Sequence, residues 1–494
     1  MITFVTSLVL LVLGFLLYGW FVERAFGADK HRETPCYAMA DGVDYMPLPT
    51  WKVFLIQFLN IAGTGPIFGA IQGILFGPAA FFWIVLGCIF GGSVHDYLSG
   101  MISLRKGGAS QPEIVGSELG RRMHVFMLVF ALILMIMVGA VFVTTPAGLL
   151  SVLTQDWGSF GTPLFWSVII FIYYILATLL PIDKLIGRIY PLFGVALLIM
   201  AVGVGFGIFT QPGSMPEITE AFTNHHPGSS IPLFPGLFIT IACGAVSGFH
   251  ATQSPMMARC LKNERLGRPV FYGAMITEGV VALIWAAAAI KFADSLQVEG
   301  NTPYEKLLAA MSVDGKMNPA IIVNAICNSW MGQVGAVLAI LGVVAAPVTS
   351  GDTAFRSARL IASDFFHIKG NKLYVRLLVS IPLFIIAGVL MLVKFDVLWR
   401  YFAWVNQTMS VFTLWAVTVW MARHGKKYVI PLIPALWMTT ICTSYILVAP
   451  EGFHLSPVIG DSVAVVVALA ALISFIVWHC KHPFSPDGVT DAEG

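Results

Sequence analysis

Long apolar segments alternate with short polar ones along almost the whole chain. A helix needs about 20 apolar residues to cross the hydrocarbon core of a bilayer. The pattern therefore predicts an all-α membrane protein with thirteen transmembrane helices. These predicted helices 1–13 cover residues 2–22, 51–74, 79–103, 123–149, 164–180, 186–209, 233–258, 270–292, 320–348, 374–393, 398–421, 430–449 and 460–480.

Composition agrees with this pattern. Of the 494 residues, 57% are hydrophobic and only 11% are charged, and the mean hydropathy is +0.84. A soluble domain carries about 25% charged residues, so most of this surface must face something other than water. We expect one polytopic domain over residues 1–480, followed by a cytoplasmic tail at 481–494.

The distribution of basic residues predicts the orientation. Alternate loops, together with the C-terminal tail, hold 23 of the 28 lysines and arginines, and the opposite loops hold 5. Cytoplasmic loops carry the excess of basic residues. The N-terminus is therefore expected outside and the C-terminus in the cytoplasm, across the inner (plasma) membrane of a bacterium.

Two predicted helices contain residues that break helices. Glycine weakens a helix, and proline removes an N–H donor but suits the first turn of a new helix. A broken helix leaves unpaired backbone groups, and the N-terminus of its second half attracts anions such as a carboxylate. Candidate substrate-binding residues in predicted helix 2 are Asn60, Gly63, Thr64, Gly65 and Pro66, and those in predicted helix 7 are Ser247, Gly248, Phe249, His250 and Gln253.

The two breaks lie five helices apart, which is an odd number. A repeat of predicted helices 2–6 (residues 51–209) in predicted helices 7–11 (residues 233–421) would thus be inverted across the membrane. Paired interrupted helices in two inverted halves indicate the central site of a transporter. One N-terminal helix (residues 1–22) and two C-terminal helices (residues 430–480) would be additional to this 5+5 repeat.

Ionisable residues also fall inside predicted helices. His95 and Asp96 lie in predicted helix 3, and Glu278 lies in predicted helix 8. Carboxylates inside a membrane are candidates for proton transfer, and histidine titrates near neutral pH. The alternative is a packing network, because adjacent residues point about 100° apart on a helix and His95 and Asp96 need not touch.

Several motifs resemble those of a known family. The stretch GTGPIFG at 63–69 is similar to the first-helix motif of the amino acid/polyamine/organocation transporters, which share the LeuT fold. With GGSVHDY at 91–97, SGFH at 247–250, QSP at 253–255 and SGDTAFR at 350–356, nearly the whole chain resembles the carbon starvation protein A (CstA) family. This resemblance implies uptake of peptides or pyruvate under nutrient limitation, driven by protons.

The LeuT-like fold also implies an ion site. The third helix of its second repeat supplies hydroxyl ligands to sodium, and Thr349, Ser350, Asp352 and Thr353 match that position. Asp352 and Arg356 are four residues apart and could pair on one helix face. Proton coupling is expected, and sodium coupling stays open as the alternative.

Motifs typical of other functions are missing from the sequence. It contains no P-loop, HExxH or GxSxG motif, and its seven cysteines show no metal-ligand spacing. We therefore expect a secondary transporter rather than an enzyme, with no cofactor, no metal and no nucleic-acid partner. The expected partners are a small solute and the lipid bilayer, and a channel or uniporter is the runner-up.

Overall fold

The computed structural model describes residues 1–42, 45–179, 182–220, 223–228, 232–313, 316–366, 373–393 and 395–482. Most of these residues are helical. The helices are α1 Ile2–Phe26, α2 Thr50–Ala62, α3 Gly65–Phe76, α4 Ala79–Arg105, α5 Gln111–Leu119, α6 Arg121–Leu153, α7 Pro163–Leu179, α8 Ile182–Thr210, α9 Leu233–Thr240, α10 His250–Ala258, α11 Glu264–Ala293, α12 Pro303–Met311, α13 Ala320–Ala339, α14 Ala345–Phe365, α15 Leu373–Leu390, α16 Phe395–Arg423, α17 Val429–Val448 and α18 Pro457–Lys481.

Short elements complete the described chain. Short helical segments form at Pro35–Ala38, Gln155–Gly161 and Ile218–Glu220, and a π-helical turn at Ile340–Val344 joins α13 to α14. Strands β1 (Ser312–Val313) and β2 (Lys316–Met317) pair antiparallel, with Ser312 opposite Met317 and Val313 opposite Lys316. The predicted tail at 481–494 lies outside the described residues from residue 483 onward.

Every predicted transmembrane segment coincides with a helix or a helix pair. Within the described part of the chain, eight helices are long and apolar enough to cross a membrane alone, or up to ten if each of two bent pairs is one span. The bundle is thus an all-helical membrane protein. The count of thirteen spans and the inverted repeat stay predictions.

One predicted helix end is wrong. The polar run after residue 348 was expected to end predicted helix 9, but α14 continues to Phe365. The polar side chains at Ser350, Asp352 and Thr353 are fully buried. They therefore face neighbouring helices, so the loss of apolar character did not mark a loop.

Burial separates central helices from peripheral ones. Within the most apolar window of each helix, 89% of α11 and 83% of α4 is buried inside the protein, against 33% of α1 and 17% of α18. The terminal helices consequently present apolar side chains outward, where lipid would cover them. The interior is formed around α4 and α11.

Both predicted breaks are present. Gly63 ends α2 with φ of +47°, a conformation that favours glycine, and α3 then leaves at 52° to α2. In predicted helix 7, the segment 241–249 between α9 and α10 is not helical. We call this segment the unwound segment.

Glycines bring α4 into contact with the unwound segment. A Cβ at Gly92 would overlap the carbonyl oxygen of Ala245, and a Cβ at Gly91 would lie 2.6 Å from the side chain of Val246. Neither position accepts a side chain without moving its neighbour. The GG pair of the 91–97 motif therefore sets the approach of α4 to the broken helix.

Candidate functional site

The two breaks face each other in the interior. A Cβ at Gly65, the first residue of α3, would overlap the side chain of Cys243 in the unwound segment. A Cβ at Gly244 would lie 3.9 Å from the Cα of Pro66. The predicted substrate residues of the two broken helices thus belong to one region rather than two.

Several buried polar atoms in this region have no partner among the described residues. They include both side-chain polar atoms of Asn60, the hydroxyl of Thr64 and the amide oxygens of Gln57 and Gln253. A buried unpaired polar group costs about 1–3 kcal/mol. Water or a polar solute would satisfy these atoms, which is what a binding site requires.

The backbone at the first break differs in detail from the prediction. The N–H groups from Ile67 onward were expected to be free for an anion, but those of Ile67 and Phe68 donate to the carbonyl of Thr64 at 3.2 and 2.8 Å. Within the described chain, the amides of Gly63 and Thr64 have no hydrogen-bond acceptor. The donors that could reach a carboxylate therefore lie just before Pro66.

The predicted ion-site residues divide into two groups. The hydroxyl of Ser350 lies 3.2 and 3.4 Å from the carbonyl oxygens of Leu59 and Asn60, where α2 ends, and 3.0 Å from the carbonyl oxygen of Ala346 on its own helix. Thr349 and Thr353 donate to carbonyls of their own helix. Ser350 thus connects α14 to the end of the first half of the broken helix.

The predicted pair on α14 is confirmed. Asp352 lies 3.8 Å from Arg356 one turn later, and both side chains are buried. The pair keeps the carboxylate of Asp352 close to a cation inside the bundle.

The ionisable residues form one buried cluster. His250 Nδ1 lies 2.8 Å from Asp96 Oδ2, and His250 Nε2 lies 3.4 Å from Glu278 Oε2. His95 Nδ1 contacts the other oxygen of Asp96 at 2.8 Å, although the helical spacing did not require this contact. All four side chains are fully buried. Two carboxylates and two imidazoles can hold a variable number of protons.

This cluster joins three elements at the second break. Asp96 belongs to α4, Glu278 to α11, and His250 is the first residue of α10. The sequence analysis grouped His250 with the substrate residues, and the structure also brings it between the two carboxylates. The cluster therefore directly follows the end of the unwound segment.

Sequence reasoning missed Asn406 on α16. Its side-chain oxygen accepts the N–H of Phe249 at 2.7 Å, and its side-chain nitrogen donates to Ser247 at 3.0 Å. Its backbone carbonyl accepts the N–H of Gly248 at 3.1 Å. Asn406 thereby replaces helical hydrogen bonds that the unwound segment lacks. The signal was present, since Asn406 and Gln407 are adjacent amides inside an apolar segment.

The fold is similar to that of a solved membrane transporter. A solved structure of a manganese transporter from Eremococcus coleocola aligns with 90% of this chain and 98% of its own, with a TM-score of 0.56. The two sequences are 14% identical, so the likeness concerns the fold alone.

Sequence comparison identifies the family. The model of the carbon starvation protein CstA family matches residues 1–162 and 159–315. This chain therefore belongs to the CstA family.

Two related proteins are transporters by name, and a third is a membrane protein. The peptide transporter CstA of Bacillus subtilis is 29% identical, over 60% of each chain. The pyruvate/proton symporter BtsT of Escherichia coli is 27% identical, over 60% of this chain and 50% of its own. A membrane protein of Haemophilus influenzae is 45% identical, over 60% of this chain and 92% of its own. This chain spans about half to three fifths of the two transporters named here.

We predict that Asn406→Ala destabilises the protein, because the buried N–H of Phe249 and the hydroxyl of Ser247 lose their partner, at about 1–3 kcal/mol per group. The midpoint of thermal unfolding in detergent, followed by tryptophan fluorescence, should fall by several degrees. Asn328→Ala is the control, since Asn328 pairs with Asn324 at an exposed position. Equal midpoints for the two variants would contradict the role given to Asn406.

Proposed function

We propose that this chain is a secondary active transporter, a proton-coupled symporter that imports a small carboxylate-bearing nutrient, pyruvate or a short peptide, when carbon is scarce. The observation that carries the proposal is the position of His250 between Asp96 and Glu278 at the start of α10. It links a group of proton-binding side chains to the broken helix beside the candidate substrate site. The N-terminus would lie outside and the C-terminus in the cytoplasm.

The substrate would bind between the two breaks. The unpartnered amides of Gly63 and Thr64 and the side chain of Asn60 would receive its carboxylate, with the start of α3 adding a favourable dipole. Ser247, Gly248, Phe249 and Gln253 would line the opposite side. Pyruvate and peptides are the substrates in the names of related proteins, and both carry a carboxylate.

The proton would bind within the ionisable cluster. A carboxylate in the membrane interior is costly unless it is paired or protonated. Protonation of Glu278 or Asp96 changes the charge that faces His250, and so changes the attraction that holds α10 against α4 and α11. His95 would be the last residue in the series of contacts from Glu278 through His250 and Asp96. It contacts Oδ1 of Asp96, whereas His250 contacts Oδ2.

Sodium coupling is a second candidate, supported by one observation. Ser350 and the carbonyls of Leu59 and Asn60 converge at the end of α2. Hard oxygen ligands of this kind suit a small cation. Thr349, Asp352 and Thr353 would complete such a site only after a change of rotamer or helix position.

We predict that Glu278→Gln and Asp96→Asn uncouple uptake from the proton gradient, since each removes a site of protonation. Uptake of labelled pyruvate or dipeptide into proteoliposomes would be measured with and without an inward proton gradient. Both variants should lose most of the stimulation by the gradient, whereas Glu299→Gln, an exposed carboxylate, should keep it. Unchanged stimulation in both cluster variants would exclude the cluster from coupling.

We also predict that Gly65→Ala abolishes uptake, because the added methyl group would overlap Cys243 and close the space between the breaks. Gly148→Ala is the matched control, since a Cβ there finds its nearest atom at 3.8 Å. Both variants should insert into the membrane and elute as folded protein. Normal uptake by Gly65→Ala would remove the substrate site from this region.

A further inference from the structure

Three potential metal ligands meet beside the second break. They are Cys243 of the unwound segment, His250 of α10 and Glu278 of α11, and all three are buried. One ligand atom from each lies within 4.8 Å of the other two. The group was not predictable from the sequence, because Glu278 lies on α11, whereas Cys243 and His250 lie in the unwound segment and α10.

The atoms that face this point lack hydrogen bonds. His250 Nε2 and both carboxylate oxygens of Glu278 are buried and have no hydrogen-bond partner among the described residues. The sulfur of Cys243 accepts two weak hydrogen bonds, from Ser247 at 3.8 Å and from Asn406 at 3.7 Å. Each of the three side chains can therefore turn an electron pair toward a shared ion.

The ligand types select the class of ion. Thiolate and imidazole favour Zn²⁺ and related transition metals, whereas Mg²⁺ and Ca²⁺ take oxygen ligands. Tetrahedral Zn²⁺ with bonds of about 2.0–2.3 Å holds its ligand atoms about 3.3–3.8 Å apart. The pair formed by His250 and Glu278 is already at 3.4 Å. Because the sulfur of Cys243 lies within 4.8 Å of the other two ligand atoms, it needs to approach them by about 1.5 Å at most.

Asp96 supplies the remaining feature of such sites. A metal-binding histidine usually gives its second ring nitrogen to a carboxylate, which fixes the ring. Asp96 Oδ2 lies 2.8 Å from His250 Nδ1 and leaves Nε2 directed toward Glu278 and Cys243. A thiolate and a carboxylate would also balance the two charges of the ion, as burial requires.

We propose that Cys243, His250 and Glu278 bind one divalent transition-metal ion of the Zn²⁺ class, with a fourth ligand position left to water. The ion takes Nε2 of His250 and the carboxylate of Glu278, which belong to the cluster to which the proposed function assigns the coupled proton. Bound metal and bound proton then exclude each other, and micromolar Zn²⁺ inhibits uptake. The inhibition rests on the proposed function, whereas metal binding does not.

The test is a titration of the purified full-length protein with Co²⁺, which has the ligand preferences of Zn²⁺ and absorbs light. We expect a thiolate-to-cobalt charge-transfer band that saturates at one equivalent and disappears when equimolar Zn²⁺ is added. Cys243→Ser should lose this band. Cys442→Ser, the control, should keep it, since Cys442 is an equally buried cysteine on α17.

Two results would overturn the proposal: no saturable band in the unaltered protein, or the same band in Cys243→Ser. If Cys243→Ser fails to elute as folded protein, Glu278→Gln replaces it. That variant should keep the band but bind Co²⁺ at least about tenfold more weakly, and an unchanged affinity contradicts the site. Because binding is measured without transport, loss of the coupling proposal and loss of the metal site are distinguishable.

Discussion

The contact of His250 with Asp96 and Glu278 is the constraint on which the rest of the interior depends. A charged side chain at the centre of a membrane helix costs about 2.5–3.5 kcal/mol. Two carboxylates in the apolar interior must therefore find a cation, a proton or a hydrogen-bond donor. His250 reaches both of them because it begins α10, where the chain has just left the unwound segment.

The surrounding helices are shaped to allow this contact. Gly91 and Gly92 let α4 approach the unwound segment closely enough for Asp96 to meet His250. Asn406 then provides the hydrogen bonds that the segment lost when it left the helix. A broken helix in the membrane interior needs such partners, because its backbone groups would otherwise stay unpaired. The break and the cluster are consequently in direct contact, so a change in the protonation of the cluster would alter the interactions that hold the unwound segment in place.

The sequence was a good guide to features that are local along the chain. Apolar length located the long apolar helices, and glycine with proline located the break at Gly63, because both are properties of a short segment. Pairing between distant helices was not predictable in this way. Three contacts depend on packing that only the fold determines. They are the contact between His250 and Glu278, the hydrogen bonds from Asn406 to the unwound segment, and the approach of Cys243 to Gly65. The predicted end of helix 9 was wrong for the same reason, because the polar residues that follow it are buried by other helices.

The central proposal is that the movement of a carboxylate-bearing solute through the region between the breaks is coupled to the movement of protons. Its most direct test is uptake of labelled pyruvate and labelled dipeptides by proteoliposomes, with proton and sodium gradients imposed one at a time. The account predicts accumulation of one of these solutes against its gradient when only the proton gradient is present. Accumulation that requires sodium and ignores the proton gradient would contradict it.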